Sequence, residues 1–147
     1  MVSTWLNSLA SGTVVAIAGY FCGGSTAAAS GGVTTVDRFA FPDDSRTTLG
    51  TGLSAVSSDS AGMANSGTAG YVTNIAGGGS ASTVVNKFAF VDDSRTTLGT
   101  GLSSSATDCG AMANSGTAGY VALGTVGSNV TTVDKFAFPG DGRTTLG

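Results

Sequence analysis

The chain has 147 residues, the length of one domain. Its residues are 41% apolar and only 10% charged, with 24 glycines, no histidine and a formal charge of −3. That balance excludes a disordered polar chain, which would be poorer in Val, Leu and Phe, and it disfavours nucleic acid and anionic membranes, which need a basic patch. Sparse charge also favours self-association, because little repulsion keeps copies apart.

At the front, Ser3-Thr4-Trp5-Leu6 lines up with Arg46-Thr47-Thr48-Leu49, so residues 1–12 read as an isolated outer strand or arm. Val14–Phe21 is apolar, yet no Lys or Arg precedes Arg38. A secretory signal needs a positive n-region, so the run is not a clear signal peptide. It is far too short to span a bilayer and is read as a buried strand.

Val33–Phe41 predicts a strand, because β-branched residues dominate it and nothing has helical spacing. Phe39 and Phe41 fall on one face and Ala40 on the other. Pro42-Asp43-Asp44-Ser45 predicts a turn, with Pro presetting φ and Asp and Ser bonding nearby backbone. Arg46–Leu53 follows as a second strand, weakened by Gly50 and Gly52. Ala61–Ala64 and Thr68–Val72 then flank Asn65-Ser66-Gly67, which suits a short hairpin turn.

The pattern repeats. VTTVDRFAFPDDSRTTLGTGL (Val33–Leu53) returns as TVVNKFAFVDDSRTTLGTGL (Thr83–Leu102) and as VTTVDKFAFPGDGRTTLG (Val130–Gly147). Phe39, Phe88 and Phe136 are spaced 49 and 48 positions apart. The link AGMANSGTAGYV (Ala61–Val72) recurs as GAMANSGTAGYV (Gly110–Val121). All six cations sit at two repeat positions: Arg38, Lys87 and Lys135, and Arg46, Arg95 and Arg143. The chain is thus a single repeat domain, with repeats over 13–54, 55–103 and 104–147, each offering four short strands in meander order.

Four antiparallel strands recurring at this period are the unit of a β-propeller blade. The residues also resemble kelch-type repeats, of the Gly/Ser-rich kind associated with phage virion or microbial surface proteins. The resemblance rests on Gly19-Tyr20-Phe21-Cys22-Gly23-Gly24 followed by Phe39-Ala40-Phe41-Pro42-Asp43-Asp44. It departs from the family where the outer-strand Trp is expected, at Thr48, Thr97 and Thr145, although Trp5 stands at that place in the front segment. The glycine pair is displaced to Gly77–Gly79 in the second copy and reduced to Gly124 in the third. The resemblance implies an all-β fold of three four-stranded antiparallel blades of a kelch-like propeller; a β-solenoid is the rival fold. Some kelch-like propellers are copper oxidases, but their Tyr/His/Cys ligand set has no His counterpart here.

Propellers close with four to eight blades. Three would leave two faces open, presenting the pairs Phe39/Phe41 and Phe136/Phe138. Burying one Phe is worth roughly 1.5–3 kcal/mol, so an open face forfeits about 3–6 kcal/mol against a net stability on the order of 5–15 kcal/mol. The expectation is completion by oligomerisation, as a homomeric ring or a filament, with Trp5 and Leu6 donated as a strand to a neighbour. The localisation that follows is a virion, the extracellular space or a cell surface.

Candidate ligand positions are few. Asp92, Asp93 and Arg95, with their counterparts Asp43, Asp44 and Arg46, gather charge at loop tips and could contact Ca²⁺ or sugar. The plainer reading makes the Asp residues turn formers and the Arg an exposed ion pair. Tyr20, Tyr71 and Tyr120 recur once per repeat, as sugar-stacking platforms or as packing residues. Met63 and Met112 read as core. Cys109 stands where the previous repeat has Ser60; a Cys22–Cys109 bridge and the redox compartment stay open. Asn129-Val130-Thr131 is a glycosylation sequon, used only in a secretory route. Without His or Glu a general base would have to be Asp, and no nucleophile motif, metal-ligand cluster or phosphate loop is present. No enzyme and no cofactor are expected. The leading reading is a structural assembly protein, and the alternative is a glycan-binding propeller module.

Overall fold

The computed structural model describes residues 18–26, 31–41, 43–73 and 80–147, and over these residues it is all β, with no helix. The first sheet is a meander of β1 (Ala18–Cys22), β2 (Val36–Ala40) and β3 (Ser45–Thr48). The second runs β4 (Ala61–Asn65), β5 (Ala69–Thr73), β6 (Val85–Ala89) and β7 (Arg95–Thr97). The third begins with β8 (Gly110–Asn114) and β9 (Ala118–Ala122), and after a small hairpin of β10 (Thr125–Val126) and β11 (Ser128–Asn129) resumes with β12 (Val133–Ala137) and β13 (Gly142–Leu146). Pairing is antiparallel within each repeat, not between like strands of successive repeats as in a solenoid.

Local chemistry explains the turns. The β4–β5 hairpin closes with Thr68 N donating to Asn65 O at 2.9 Å, and Gly67 takes φ 73°, a conformation that costs a Cβ-bearing residue strain. In the β2–β3 and β6–β7 turns the first Asp caps the bend: Ser45 N donates to Asp43 Oδ1 at 3.1 Å and Ser94 N to Asp92 Oδ1 at 3.0 Å. The second Asp of each pair sits in the left-handed region, Asp44 at φ 55° and Asp93 at 57°, with Asp141 at 58° in the third turn. Asp tolerates that conformation better than most residues.

Two strand boundaries fall short of expectation. The strand predicted over Val33–Phe41 pairs only from Val36, and Val33 keeps a single bridge to Ser57. The strand predicted over Arg46–Leu53 stops at Thr48, because the chain turns inward over Gly50 and Gly52 instead of extending the ladder. Leu53 N then donates to Thr34 O and Leu102 N to Thr83 O, both at 2.7 Å, which drops each leucine into the core. A Cβ at Gly52 or Gly101 would overlap those same carbonyl oxygens, so this inward hook requires glycine.

The period of two gives each sheet two unlike faces. One face, here the front, carries Met63, Tyr71, Lys87 and Thr96 in register across the second sheet. Its equivalents are Tyr20, Arg38 and Thr47 in the first sheet, and Met112, Tyr120, Lys135 and Thr144 in the third. The back face carries Gly70, Phe88 and Arg95, repeated as Gly19, Phe39, Arg46 and Gly119, Phe136, Arg143. One core cluster joins Val36, Leu53, Val72 and Phe88; a second joins Met63, Tyr71, Leu102, Val121, Phe136 and Phe138. In the second and third sheets the back face is therefore buried against the front face of the repeat before it.

This polarity corrects three expectations. Phe136 (0% exposed) and Phe138 (7%) lie in the core rather than on an open flank, because a second sheet precedes them. Phe39 is half-buried and Phe41 is 58% exposed, since no sheet among the described residues covers the back of the first. Phe21, expected within a buried strand, is 72% exposed on that same face and meets Phe39 edge-on at 5.5 Å. Met112, expected in the core with Met63, is also 72% exposed, on the front of the last sheet. Trp5 and Leu6, and with them the donated strand, lie outside the described residues.

Candidate assembly interface

The repeats meet through one set of contacts used twice. From the front of the first sheet, Tyr20 stacks on Phe90 with ring centroids 5.3 Å apart and an interplanar angle of 14°. Its hydroxyl donates to Asp93 Oδ1 at 2.6 Å, and Arg38 Nε stands 4.0 Å from the other carboxylate oxygen. From the second sheet, Tyr71 stacks on Phe138 at 5.0 Å and 25°, and donates to Asp141 Oδ1 at 2.7 Å. Lys87 Nζ reaches Asp141 Oδ2 at 2.7 Å while lying 5.3 Å from the Tyr71 ring centroid. The left-handed turn residue thus aims its carboxylate at the sheet behind it, where a tyrosine and a cation converge.

Burial, reinforced by the hydrogen bond to Asp93, pushes Tyr20 up to about 12. Burial and then Asp141 push Tyr71 up to about 12 in the same way. For Lys87, burial pulls the pKa down, but the Asp141 and Tyr71 contacts outweigh it and the net direction is up. The latch therefore holds a neutral phenol and a charged ammonium on one carboxylate, a charge-assisted arrangement stronger than a neutral hydrogen bond.

A second contact fastens the outer edge. Arg95 Nη1 donates to Gly52 O at 2.6 Å and Arg143 Nη1 to Gly101 O at 2.7 Å, each reaching back into the hook of the preceding repeat. Arg143 also keeps its Nε 3.9 Å from Asp134 Oδ1, and Arg46, the equivalent residue of the first sheet, forms the exposed ion pair that was expected, its Nη1 3.7 Å from Asp37 Oδ2. Two residues further along, Ser54 N donates to Asn86 Oδ1 at 2.8 Å, and Ser103 N to Asp134 Oδ2 at 2.6 Å. Asn86 and Asp134 are fully buried and also engage the outer strand, through Thr97 at 3.1 Å and Thr145 at 2.8 Å. Between the inner strands, Met63 seats on Gly119 so closely that a Cβ there would strike its sulfur. Gly116 N donates to the Asn65 side chain at 2.9 Å, tying the hairpin tips together.

The predicted ligand residues are thereby distributed among structural tasks. Asp92 caps a turn, Asp93 accepts from Tyr20, and Arg95 holds a carbonyl; Tyr20 and Tyr71 spend their ring faces and hydroxyls on the next repeat. Only Tyr120 keeps its hydroxyl without a protein partner among the described residues. Sequence reasoning missed the pairing of each Tyr with the left-handed Asp of the following repeat. The signal was available in the similar spacing of Tyr20 and Tyr71 from Asp93 and Asp141, 73 and 70 residues away.

Among the described residues, no group of three or more His, Cys, Asp or Glu side chains could hold a metal ion. Cys22 and Cys109 are free thiols; burial pushes Cys22 up to about 11 and raises Cys109 as well, which keeps both from being reactive thiolates. A cavity of about 480 Å³ separates the first two sheets, lined by Tyr20, Cys22, Met63, Tyr71, Phe88 and Phe90 and by no charged side chain. No protein-family model matches the sequence, and comparison with the curated proteins finds no relative.

Proposed function

We propose that the chain is a structural protein that assembles with its own copies, its three sheets acting as blades of a kelch-like propeller that other copies complete. The observation that carries this reading is the contrast between equivalent residues. Phe138 is 7% exposed and Phe41 is 58%; Met63 is 5% exposed and Met112 is 72%. The same side chains that bury against a neighbouring repeat inside the chain lie open on its first and last sheets. Solenoid and propeller arrays cover such ends with polar repeats or with more of themselves, and the back of the first sheet, with Phe21, Phe39 and Phe41, is not polar.

A homomeric ring, a filament or a virion-associated structure would each supply the missing neighbours. Light scattering gives the mass of the particle, and negative-stain imaging separates ring from filament. A wild-type chain that stays a single copy across the accessible concentration range overturns the proposal.

A further inference from the structure

We infer that copies join head to tail, with Tyr120 and Lys135 on the front of the third sheet receiving Phe41 and Asp44 from the back of the first sheet of the next copy. This inference rests on the assembly reading and gives it a polarity and a register.

Inside the chain the front row meets the same back-face pair twice. Tyr20 takes Phe90 and Asp93; Tyr71, with Lys87, takes Phe138 and Asp141. The third front row, Tyr120 with Lys135, and the first back pair, Phe41 with Asp44, are the two halves left over. Neither half has its latch partner among the described residues. They carry opposite charge, cation on one end and carboxylate on the other, which selects the other end of a like copy and disfavours end-on-same-end contact.

Asp44 adds an independent reason. Its φ of 55° matches the 57° of Asp93 and the 58° of Asp141, although those two carboxylates are latched and, among the described residues, that of Asp44 is not. The backbone that carries the Asp44 carboxylate thus already has the conformation of the latched turns, so the encounter has only the side chain to order. Arg46 stands outside the register. It pairs within its own sheet, its Nη1 3.7 Å from Asp37 Oδ2, whereas its counterparts donate to the Gly52 and Gly101 carbonyls. Because the two patches differ, the interface is heterologous and makes a ring if the rotation closes and a filament if it does not.

Charge reversal tests the register. Lys135→Glu and Asp44→Lys should each weaken assembly of the full chain by roughly ten-fold or more in apparent Kd, read by sedimentation equilibrium. An equimolar mixture of the two variants should recover assembly, because the carboxylate introduced at position 135 of one then meets the ammonium introduced at position 44 of the other. Recovery by mixing also shows that both variants are folded, and the double variant Asp44→Lys/Lys135→Glu should assemble by itself. Single reversals that leave assembly unchanged, or weakened variants that mixing does not restore, overturn the register while leaving self-assembly standing. A wild-type chain that never assembles overturns both.

Discussion

Removing one oxygen from Tyr71 separates the latch from the rest of the packing. Tyr71→Phe keeps the ring stacked on Phe138 but deletes the hydroxyl that donates to Asp141 at 2.7 Å. A hydrogen bond to a charged group contributes about 1.5–3 kcal/mol net. Asp141 retains Lys87 at 2.7 Å, so the loss belongs at the lower end, about 1.5 kcal/mol. For a chain of this size that lowers Tm by roughly 3–6 °C. Tyr120→Phe is the matched control: the same atom is removed from the same repeat position, but its hydroxyl has no partner among the described residues, so the change should stay within about 0.5 kcal/mol. Both are measured by urea and thermal unfolding at a concentration where the protein is one copy, since assembly would add its own stabilisation. A double-mutant cycle with Asp141→Asn should return a coupling of about 1 kcal/mol. Equal effects of Tyr71→Phe and Tyr120→Phe, or a coupling of zero, would refute the latch as the contact that fastens repeats.

Three further outcomes follow from the same geometry. Asp134→Asn can keep both hydrogen bonds in the way Asn86 does and gives up only the Arg143 Nε pairing at 3.9 Å, so it should cost about 1 kcal/mol or less, whereas Asp134→Ala strands Ser103 N and the Thr145 hydroxyl and should cost about 2–3 kcal/mol in denaturant unfolding. Gly101→Ala should destabilise by about 1–3 kcal/mol through collision with Thr83 O, while Gly99→Ala, with open space around it, should not; equal melts of the two would contradict the inward hook. Tyr20 and Tyr71 ionise near 10.0 when unfolded and at about 12 when folded, so above pH 10 the folded chain holds protons that the unfolded chain has released. Their contribution is whole below pH 10 and is lost as pH rises toward 12, which pH-dependent unfolding checks and which tyrosinate absorbance in a Tyr120→Phe background should track.

Some of this was legible in the residues alone. Alternating Phe and Ala, β-branched runs and Asn-Ser-Gly or Asp-Asp-Ser turns are local features, and local sterics and hydrogen bonding settle them without knowledge of the rest of the chain. They specified short antiparallel strands, meander order and three repeats, and the all-β sheets lie where those signals stand. The strand ends were less legible, because Gly50 and Gly52 weaken a ladder without revealing that the chain hooks inward onto Thr34.

The assignment of sides was not a local matter. Phe41, Phe90 and Phe138 have the same spacing and similar neighbours in sequence, yet the first is exposed and the last is buried. The same holds for Met63 and Met112, and for Tyr71 and Tyr120. What separates each pair is whether another sheet stands in front of or behind it, and that depends on stacking order, which no single repeat encodes. The sequence by itself therefore determined the strands, their turns and the repeat. Only the tertiary structure decided that a back face rests on the preceding front face, because long-range burial and the Tyr–Asp latch exist only once two repeats meet.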